Sequence, residues 1–508
     1  MRQVFPPRIP APEVASGSAS GEARPPTVPA GPALHPIRED RLARIVLGVI
    51  TLVMTVLLCY WSVRDHAGFG QPGFDMGIFD QGTWLLSRFK SPFVTVMGLD
   101  LFGDHTSFIL FFLVPFYWMF DSANVLLVAQ GAAIGIAAVP VFLIAREKLR
   151  SERLALLFGV VYLFQPAVGW MNWENFHPDP LEVPIFLFGF FFLMTKRWRA
   201  FLICVALLLA VKEDVPLLTL PLGLYVAVFH HRRIGLGVAA VSLVWFVAAL
   251  WFVFPAINGT GTLDAFRIPY GGFGGLFKAI LTRPWDVATL AFSEDRPWYL
   301  WQLFIPVAFL SLVAPEILFI ALGALLSNLL STFWYQHSIE YHYTSLVVPV
   351  IVVAAIYGVA RLPSLQFKRI ASAGVLVCTL VTGYMWGPWP LAREPGPLAD
   401  PSRPEVALTV EALDHVPPDA SVSAYYGYVT HLSHREEIYE FPNPWHAVNW
   451  ADASMEGQRL PIADSVEYVV LPSHIGEEQY IEILEVIKPE FTTVYENSVV
   501  QVLKREGI

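Results

Sequence analysis

Between residues 43 and 386 the sequence is a succession of apolar runs, at 43–63, 107–120, 123–145, 154–170, 181–195, 200–229, 235–255, 301–313, 316–332, 344–361 and 370–386. A helix rises about 1.5 Å per residue, so about 20 such residues cross a hydrocarbon core of about 30 Å. Inside hydrocarbon each segment must satisfy its own backbone hydrogen bonds, and continuous apolar runs do so as helices. The chain is 55% hydrophobic and only 15% charged, with a mean hydropathy of +0.52, outside the balance of soluble domains. The fold class that follows is mainly α, a polytopic transmembrane helical protein.

Four short connections are basic: Arg146, Lys148, Arg150 and Arg153; Lys196, Arg197 and Arg199; Arg232 and Arg233; and Arg361, Lys368 and Arg369. Such charge favours the cytoplasmic side. All four reach it if 200–229 crosses twice, turning at "KED" (212–214), and if 107–120 does not cross. Fourteen residues of helix rise only about 21 Å, so 107–120 reads as a helix lying in the outer interface. The result is about 11 spans, with the N-terminus inside and the C-terminus outside. Residues 1–37, rich in Pro, Ala, Gly and Ser, read as a disordered tail. The run 43–63 follows Arg38 and Arg41 and reads as a retained span, not a cleaved signal.

From 391 to 508 charges become frequent. Short alternating strands in "ASVSAYY", "VEYVVLP" and "TTVYENSVVQVLK" surround an amphipathic helix, "GEEQYIEILEVIKPE". This reads as a small extracytoplasmic α/β domain following a transmembrane domain over 38–390. Residues 387–508 hold 20 acidic and 7 basic residues, a net of −13, which would repel nucleic acid. Its aromatic segment 438–450 reads first as core packing and second as a stacking surface for sugars or a lipid head. Cys59, Cys204 and Cys378 all lie in apolar runs, so neither a disulfide framework nor a cysteine metal site is available. There is no P-loop, and the glycines of "YGGFGG" do not follow a strand.

The expected topology collects the anomalous polar residues on the outer face. In "GFDMGIFDQGTWLL" (73–86), Asp75 stands before a helix, where it reads equally as an N-cap and as a functional carboxylate. Asp80 lies within that helix, where no cap is needed. Asp104 could cap 107–120, whereas His105 has no such role. In "FHPDPLEV", Asp179, Pro180 and Glu182 read as an N-cap, a first-turn proline and a capping box, which leaves His177 over. Histidines recur on this face at 105, 177, 337 and 342. Lys212, Glu213 and Asp214 interrupt an apolar stretch. Ionisable residues at membrane depth cost about 2.5 to 3.5 kcal/mol each, so they pair or line a pathway. A Lys212–carboxylate pair joining two hairpin ends stands beside a site for a phosphate or hydroxyl.

The succession "FDMGIFDQGTWLL", "GDHTSFILFFLVPFY", "QGAAIGIAAVPVFLIAR", "FHPDPLEVPIFLFGFFFL", "LLLAVKEDVPLL", "PEILFIALGALLSNLLS" and "EYHYTSLVVPVIVVAAIYG" resembles the bacterial membrane-protein family called domain of unknown function 2079, over roughly 60–390. That family resembles the C-type glycosyltransferases (GT-C fold), which place an acidic residue early in the first outer loop and polar residues in the second. Asp75 and "NFHPDP" match these positions. The usual Asp-Glu pair is absent, because Met76 follows Asp75, and this leaves the part of Asp80 open.

The resemblance implies a multi-pass protein of the bacterial cytoplasmic membrane that moves a sugar from a polyprenyl-phosphate donor to a glycan, lipid or protein acceptor. Such an enzyme needs a carboxylate base, here Asp75 with Asp80 second. It also needs stabilisation of the departing phosphate, with Lys212, His342 and Tyr343 as candidates. His105, His177, Glu213 and Asp214 complete the expected substrate-binding set. A divalent metal through Asp75 and His177 is compatible with the sequence and not required by it. Two readings from other classes stand beside this one: a transporter or flippase using "KED" as its pathway, and a non-catalytic envelope-assembly scaffold.

Overall fold

The computed structural model describes residues 37–259, 267–450 and 452–507. The tail expected over 1–37 lies almost wholly outside them. Arg41–Ala67 begins at Asp40, whose side chain accepts from the Ala43 amide at 3.2 Å. It buries Leu47, Met54 and Leu58 and exposes Leu42, Ile45, Val49, Leu52 and Val56. An exposed apolar face of this kind suits lipid, not water.

Five helices among the described residues are long and apolar enough to cross a membrane alone: Arg41–Ala67, Asn124–Leu149, Arg232–Asn258, His342–Ala360 and Leu365–Trp386. A sixth span is formed if Glu152–Phe164 and Pro166–Trp173 count as one, bent by 45°. The bend sits at Gln165, whose extended backbone is what a following proline imposes. The other expected crossings fall on shorter helices, including Glu182–Met194, Trp198–Leu209 and Pro216–Phe229. The run 200–229 is broken at "KED" into the last two of these, as expected. In Val348–Ala360 every residue from Val348 to Val359 is buried, which makes this the central helix.

The basic connections gather at one end of the bundle. Arg44 and Arg146 both pair with the buried Glu152, and Arg153 pairs with Asp40. Lys148 lies over the Tyr357 ring, one turn before Arg361. Trp198 and His231 bring the 196–199 and 230–233 connections into ring contact at 5.5 Å.

The run 107–120 forms a 3₁₀ turn, Phe108–Phe112, followed by the short helix Val114–Met119. Phe111, Phe112, Phe116, Trp118 and Phe120 are exposed along it, the aromatic fringe that favours a membrane–water interface.

After Trp386 the chain builds a five-stranded sheet in the order Ile438–Glu440, Val422–Ala424, Tyr468–Pro472, Val500–Arg505, Phe491–Glu496. The first three strands are parallel and the last two antiparallel. Tyr439, Phe441 and Trp445 are buried in the core of this region, so the aromatic segment packs inward and does not offer a stacking surface. The sheet region rests on the first loop. Gly73 approaches so closely that a Cβ there would meet Val429 at 2.6 Å, and one at Gly98 would enter the Trp450 ring at 2.1 Å. Gly98 also holds φ +69°, a backbone that glycine adopts at no steric cost.

Candidate active site

Asp75 sits in the turn Gly73–Gly77 with φ 22° and ψ −75°, a strained conformation for a residue with a Cβ. Neither this turn nor the following helix Ile78–Ser87 has a side-chain cap, so the N-cap reading of Asp75 is not what the structure shows. Its Oδ1 lies 3.6 Å from His177 Nε2 instead. The His177 ring stacks on His342 with centroids 3.7 Å apart. His342 Nδ1 meets Glu174 Oε2 at 3.0 Å, and its Nε2 faces Asp179 Oδ1 at 3.9 Å. Asp179 accepts from Lys212 Nζ at 3.1 Å. Asp75, His177, His342, Asp179 and Lys212 thus form a continuous file of side chains drawn from four separate segments.

The capping box expected at 179–182 is absent. The turn Asp179–Leu181 has no side-chain cap, Asp179 is spent on Lys212, and Glu182 accepts from Ser345 Oγ at 3.4 Å. Lys212 accordingly pairs with neither of its neighbours. Glu213 takes the His105 ring at 2.9 Å and the Thr106 amide at 3.1 Å. Asp104 stands 3.7 Å from His105; it ends the helix Leu101–Asp104, and the turn Phe108–Phe112 that follows has no side-chain cap. Asp214 is half-buried beside Lys212, its Oδ1 without a hydrogen bond among the described residues. Tyr343 lies beneath Lys212, 5.7 Å from Nζ to ring centre.

Charge follows this geometry. Burial raises the Asp75 carboxyl, but the His177 and His342 rings more than offset it and bring it down to about 2. Burial lowers His177, while Glu174, Asp75 and Asp179 raise it to about 9. Burial likewise opposes the charged form of His105, and Asp104 and Glu213 lift it to about 9 against the repulsion of Lys212. The site therefore carries an ionised Asp75 against an imidazolium.

Asp80 lies outside this file. It is fully buried and accepts from Tyr117 Oη at 2.6 Å, from Ser433 Oγ, and from His434 Nε2 at 3.2 Å. These partners give it the work of tethering the C-terminal region to the first loop. His337 is also elsewhere, 3.0 Å from Asp295.

Beside Lys212 opens a cavity of about 360 Å³. Lys212, Glu213, Asp214, Arg267 and Tyr343 are the ionisable residues of its lining, and Phe246, Leu250, Phe273, Leu276 and Leu326 are among its apolar walls. Arg267 donates to Tyr343 Oη at 3.3 Å. Sequence reasoning missed Arg267 and Glu174, although Glu174 immediately precedes the "NFHPDP" segment, three residues before His177.

Glu174, His177 and His342 each place one donor atom within 4.8 Å of the others. Two imidazoles and a carboxylate are the ligands that zinc and manganese accept, so these residues fit a divalent ion, with Asp75 alongside. The set differs from the Asp75–His177 pair with which the sequence is compatible.

A model of one family of predicted membrane proteins, DUF2079, matches residues 66–480, from the end of the first helix through the site and most of the sheet region. The chain belongs to DUF2079. Among curated proteins none matches the sequence significantly. Two solved structures are similar across nearly their whole length. ArnT from Cupriavidus metallidurans bound to undecaprenyl phosphate aligns with a TM-score of 0.51 at 11% identity, covering 91% of this chain and 97% of ArnT. Its apo form aligns at 0.50 and 12%, covering 91% and 98%. This DUF2079 protein therefore has the GT-C fold of a membrane glycosyltransferase, with a small sheet region at its C-terminal end.

Proposed function

We propose that this protein transfers a sugar from a polyprenyl-phosphate donor to an acceptor at the outer face of the cytoplasmic membrane. The observation that carries the reading is the amphipathic cavity. Apolar walls suit an isoprenoid chain, and the cations Lys212 and Arg267, which share the lining with Glu213 and Asp214, suit a phosphate. The similar ArnT structure that holds undecaprenyl phosphate supports the choice of lipid.

Lys212 and Asp75 occupy opposite ends of the side-chain file, as a single displacement requires. The acceptor oxygen bonds to the sugar's anomeric carbon as the bond from that carbon to the phosphate oxygen breaks. The acceptor proton passes to Asp75, and polyprenyl phosphate leaves with its charge held by Lys212, Arg267 and the Tyr343 hydroxyl. Attack opposite the leaving group inverts the anomeric centre. A divalent ion, if held by Glu174, His177 and His342, would add positive charge to the file between Asp75 and Lys212.

Deleting the gene should cause the sugar-charged polyprenyl phosphate to accumulate in membranes of its host, and the wild-type gene should reverse this while Asp75→Asn does not. Unchanged lipid pools, together with movement of polyprenyl phosphate between liposome leaflets by the purified protein, would establish the flippase reading instead.

A further inference from the structure

The C-terminal sheet brings a second carboxylate to Asp75. Ala424 and Glu440 are register partners at the ends of two parallel strands. The strand Val422–Ala424 leads directly into Tyr426–Leu432, the helix whose Val429 packs on Gly73 and Gly77 at the Asp75 turn. The strand Ile438–Glu440 is fixed to the first loop, because Thr95 exchanges hydrogen bonds with the Ile438 amide at 2.8 Å and carbonyl at 2.7 Å.

Glu440 Oε2 is buried and accepts no hydrogen bond among the described residues, and no ion-pair partner for this side chain appears among them. Burial, and then the facing Asp75 charge, push its carboxyl up to about 7. Tyr480 also lies within reach of the Glu440 charge. It sits 5.2 Å from the Phe441 ring and 6.4 Å from Tyr425. A buried carboxylate set against a like charge and left unpaired costs stability. Such a group is retained where a ligand completes it.

We infer that Glu440 binds the acceptor: with Asp75 it forms a two-carboxylate jaw that takes hydrogen bonds from neighbouring hydroxyl groups of a glycan, beside the rings of Tyr425 and Tyr480. The inference rests on the transferase reading, in which Asp75 takes the proton of the attacking hydroxyl. Glu440 exchanges no proton; it accepts from a second hydroxyl and orients the first. The sheet region is then part of the catalytic centre, not only its support.

The test compares host strains carrying Glu440→Gln, Asp75→Asn, the gene deletion or the exposed-site control Glu482→Gln. Their sugar-charged polyprenyl-phosphate pools are measured, with the melting temperature and undecaprenyl phosphate affinity of each purified full chain. Replacing the carboxylate acceptor by a neutral amide weakens the hydrogen bonds it takes and with them acceptor binding by about tenfold. The Glu440→Gln pool should therefore rise toward that of Asp75→Asn, with lipid affinity unchanged, melting temperature at or above wild type, and the Glu482→Gln pool normal. A wild-type pool in Glu440→Gln overturns the inference. So does a raised pool accompanied by a lower melting temperature or weaker lipid binding, since that is a structural role. If deletion and Asp75→Asn also leave the pool unchanged, the transferase reading fails and takes this inference with it.

Discussion

Lys212 donates to Asp179 at 3.1 Å across 33 residues of sequence, both side chains almost fully enclosed. The two carboxylates that follow Lys212 in the chain are therefore not its partners. Glu213 is committed to His105 and the Thr106 amide. One cation thus closes the file that begins at Asp75 and also lines the cavity, so in the proposed transferase it would hold the fold and the lipid phosphate at once.

That double duty can be separated. Lys212→Ala strands the buried Asp179 carboxylate and should cost about 3 to 5 kcal/mol of stability, as breaking one side of a buried pair does. The double variant Lys212→Met, Asp179→Leu removes both charges and should recover most of that loss in thermal melts. Undecaprenyl phosphate binding should stay weak in both. If the double variant binds the lipid as wild type does, Lys212 is a structural residue alone.

Asp75→Asn should fold normally, because no cap is lost, and should lower sugar transfer by about 10²-fold or more through loss of the base. Asp75→Gly should lose transfer equally and be more stable than Asp75→Asn, since both lose the His177 pair but only glycine relieves a positive φ that costs on the order of 1 to 3 kcal/mol. A melting temperature no higher than that of Asp75→Asn would show that the turn is unstrained.

The spans were legible because burial in lipid demands long apolar runs, and the break at "KED" because charge inside such a run has no other cheap explanation. Histidines 105, 177 and 342 were legible because they recur in the polar connections that the expected topology collects on one face. Partner choice was not. Asp179 before Pro180 carries a sequence signature of helix starts that the fold does not use, and the lysine that claims it lies in the turn between two other helices. Asp80 read as a chemical residue because its partners, Tyr117, Ser433 and His434, are 37, 353 and 354 residues away. Arg267 and Glu440 stand in polar surroundings where a charge attracts no notice; only the folded chain brings one to Tyr343 and the other to Asp75.

Zinc or manganese should bind the purified protein through Glu174, His177 and His342. A ligand at a hundred times its Kd stabilises a fold by about 2.7 kcal/mol, so the melting temperature should rise with added ion. Glu174→Gln, His177→Asn and His342→Asn should each abolish the rise. A shift that survives all three places the ion elsewhere.

Orientation can be read from outside the cell after Cys59, Cys204 and Cys378 are replaced by Ala. Arg153 has 84% of its side chain exposed, and Glu456 is exposed in the sheet region. Cysteine at 456 should react with a membrane-impermeant thiol reagent in intact cells, and cysteine at 153 only after lysis. Reaction at 153 in intact cells would invert the topology inferred from the basic connections.

The tether at Asp80 should make the seating of the sheet region depend on pH. His434 meets Asp80 at 3.2 Å and Asp121 at 3.0 Å, beside the rings of Trp84 and Tyr117. Burial disfavours the imidazolium, but Asp80 and Asp121 raise His434 above its ordinary value. Burial also disfavours the Asp80 carboxylate, yet His434 and the hydroxyls of Ser433 and Tyr117 bring it below the usual range. A raised histidine stabilises the folded state fully below about 6.5, its unfolded value, and loses that contribution as pH rises through the folded one. A lowered aspartate stabilises above about 3.9 and loses its part as pH falls through the folded value. The pair is therefore worth most between about 4 and 6.5. His431, which burial and His66 hold down to about 3, adds an opposite slope on the acid side, so the comparison must be with a variant that keeps it. The melting-temperature advantage of wild type over His434→Gln should be greatest near pH 5 to 6 and should shrink steadily above about 7; an advantage that is flat with pH, or that grows on the alkaline side, would mean that His434 is held neutral and that Asp80 is secured by Tyr117 and Ser433 alone.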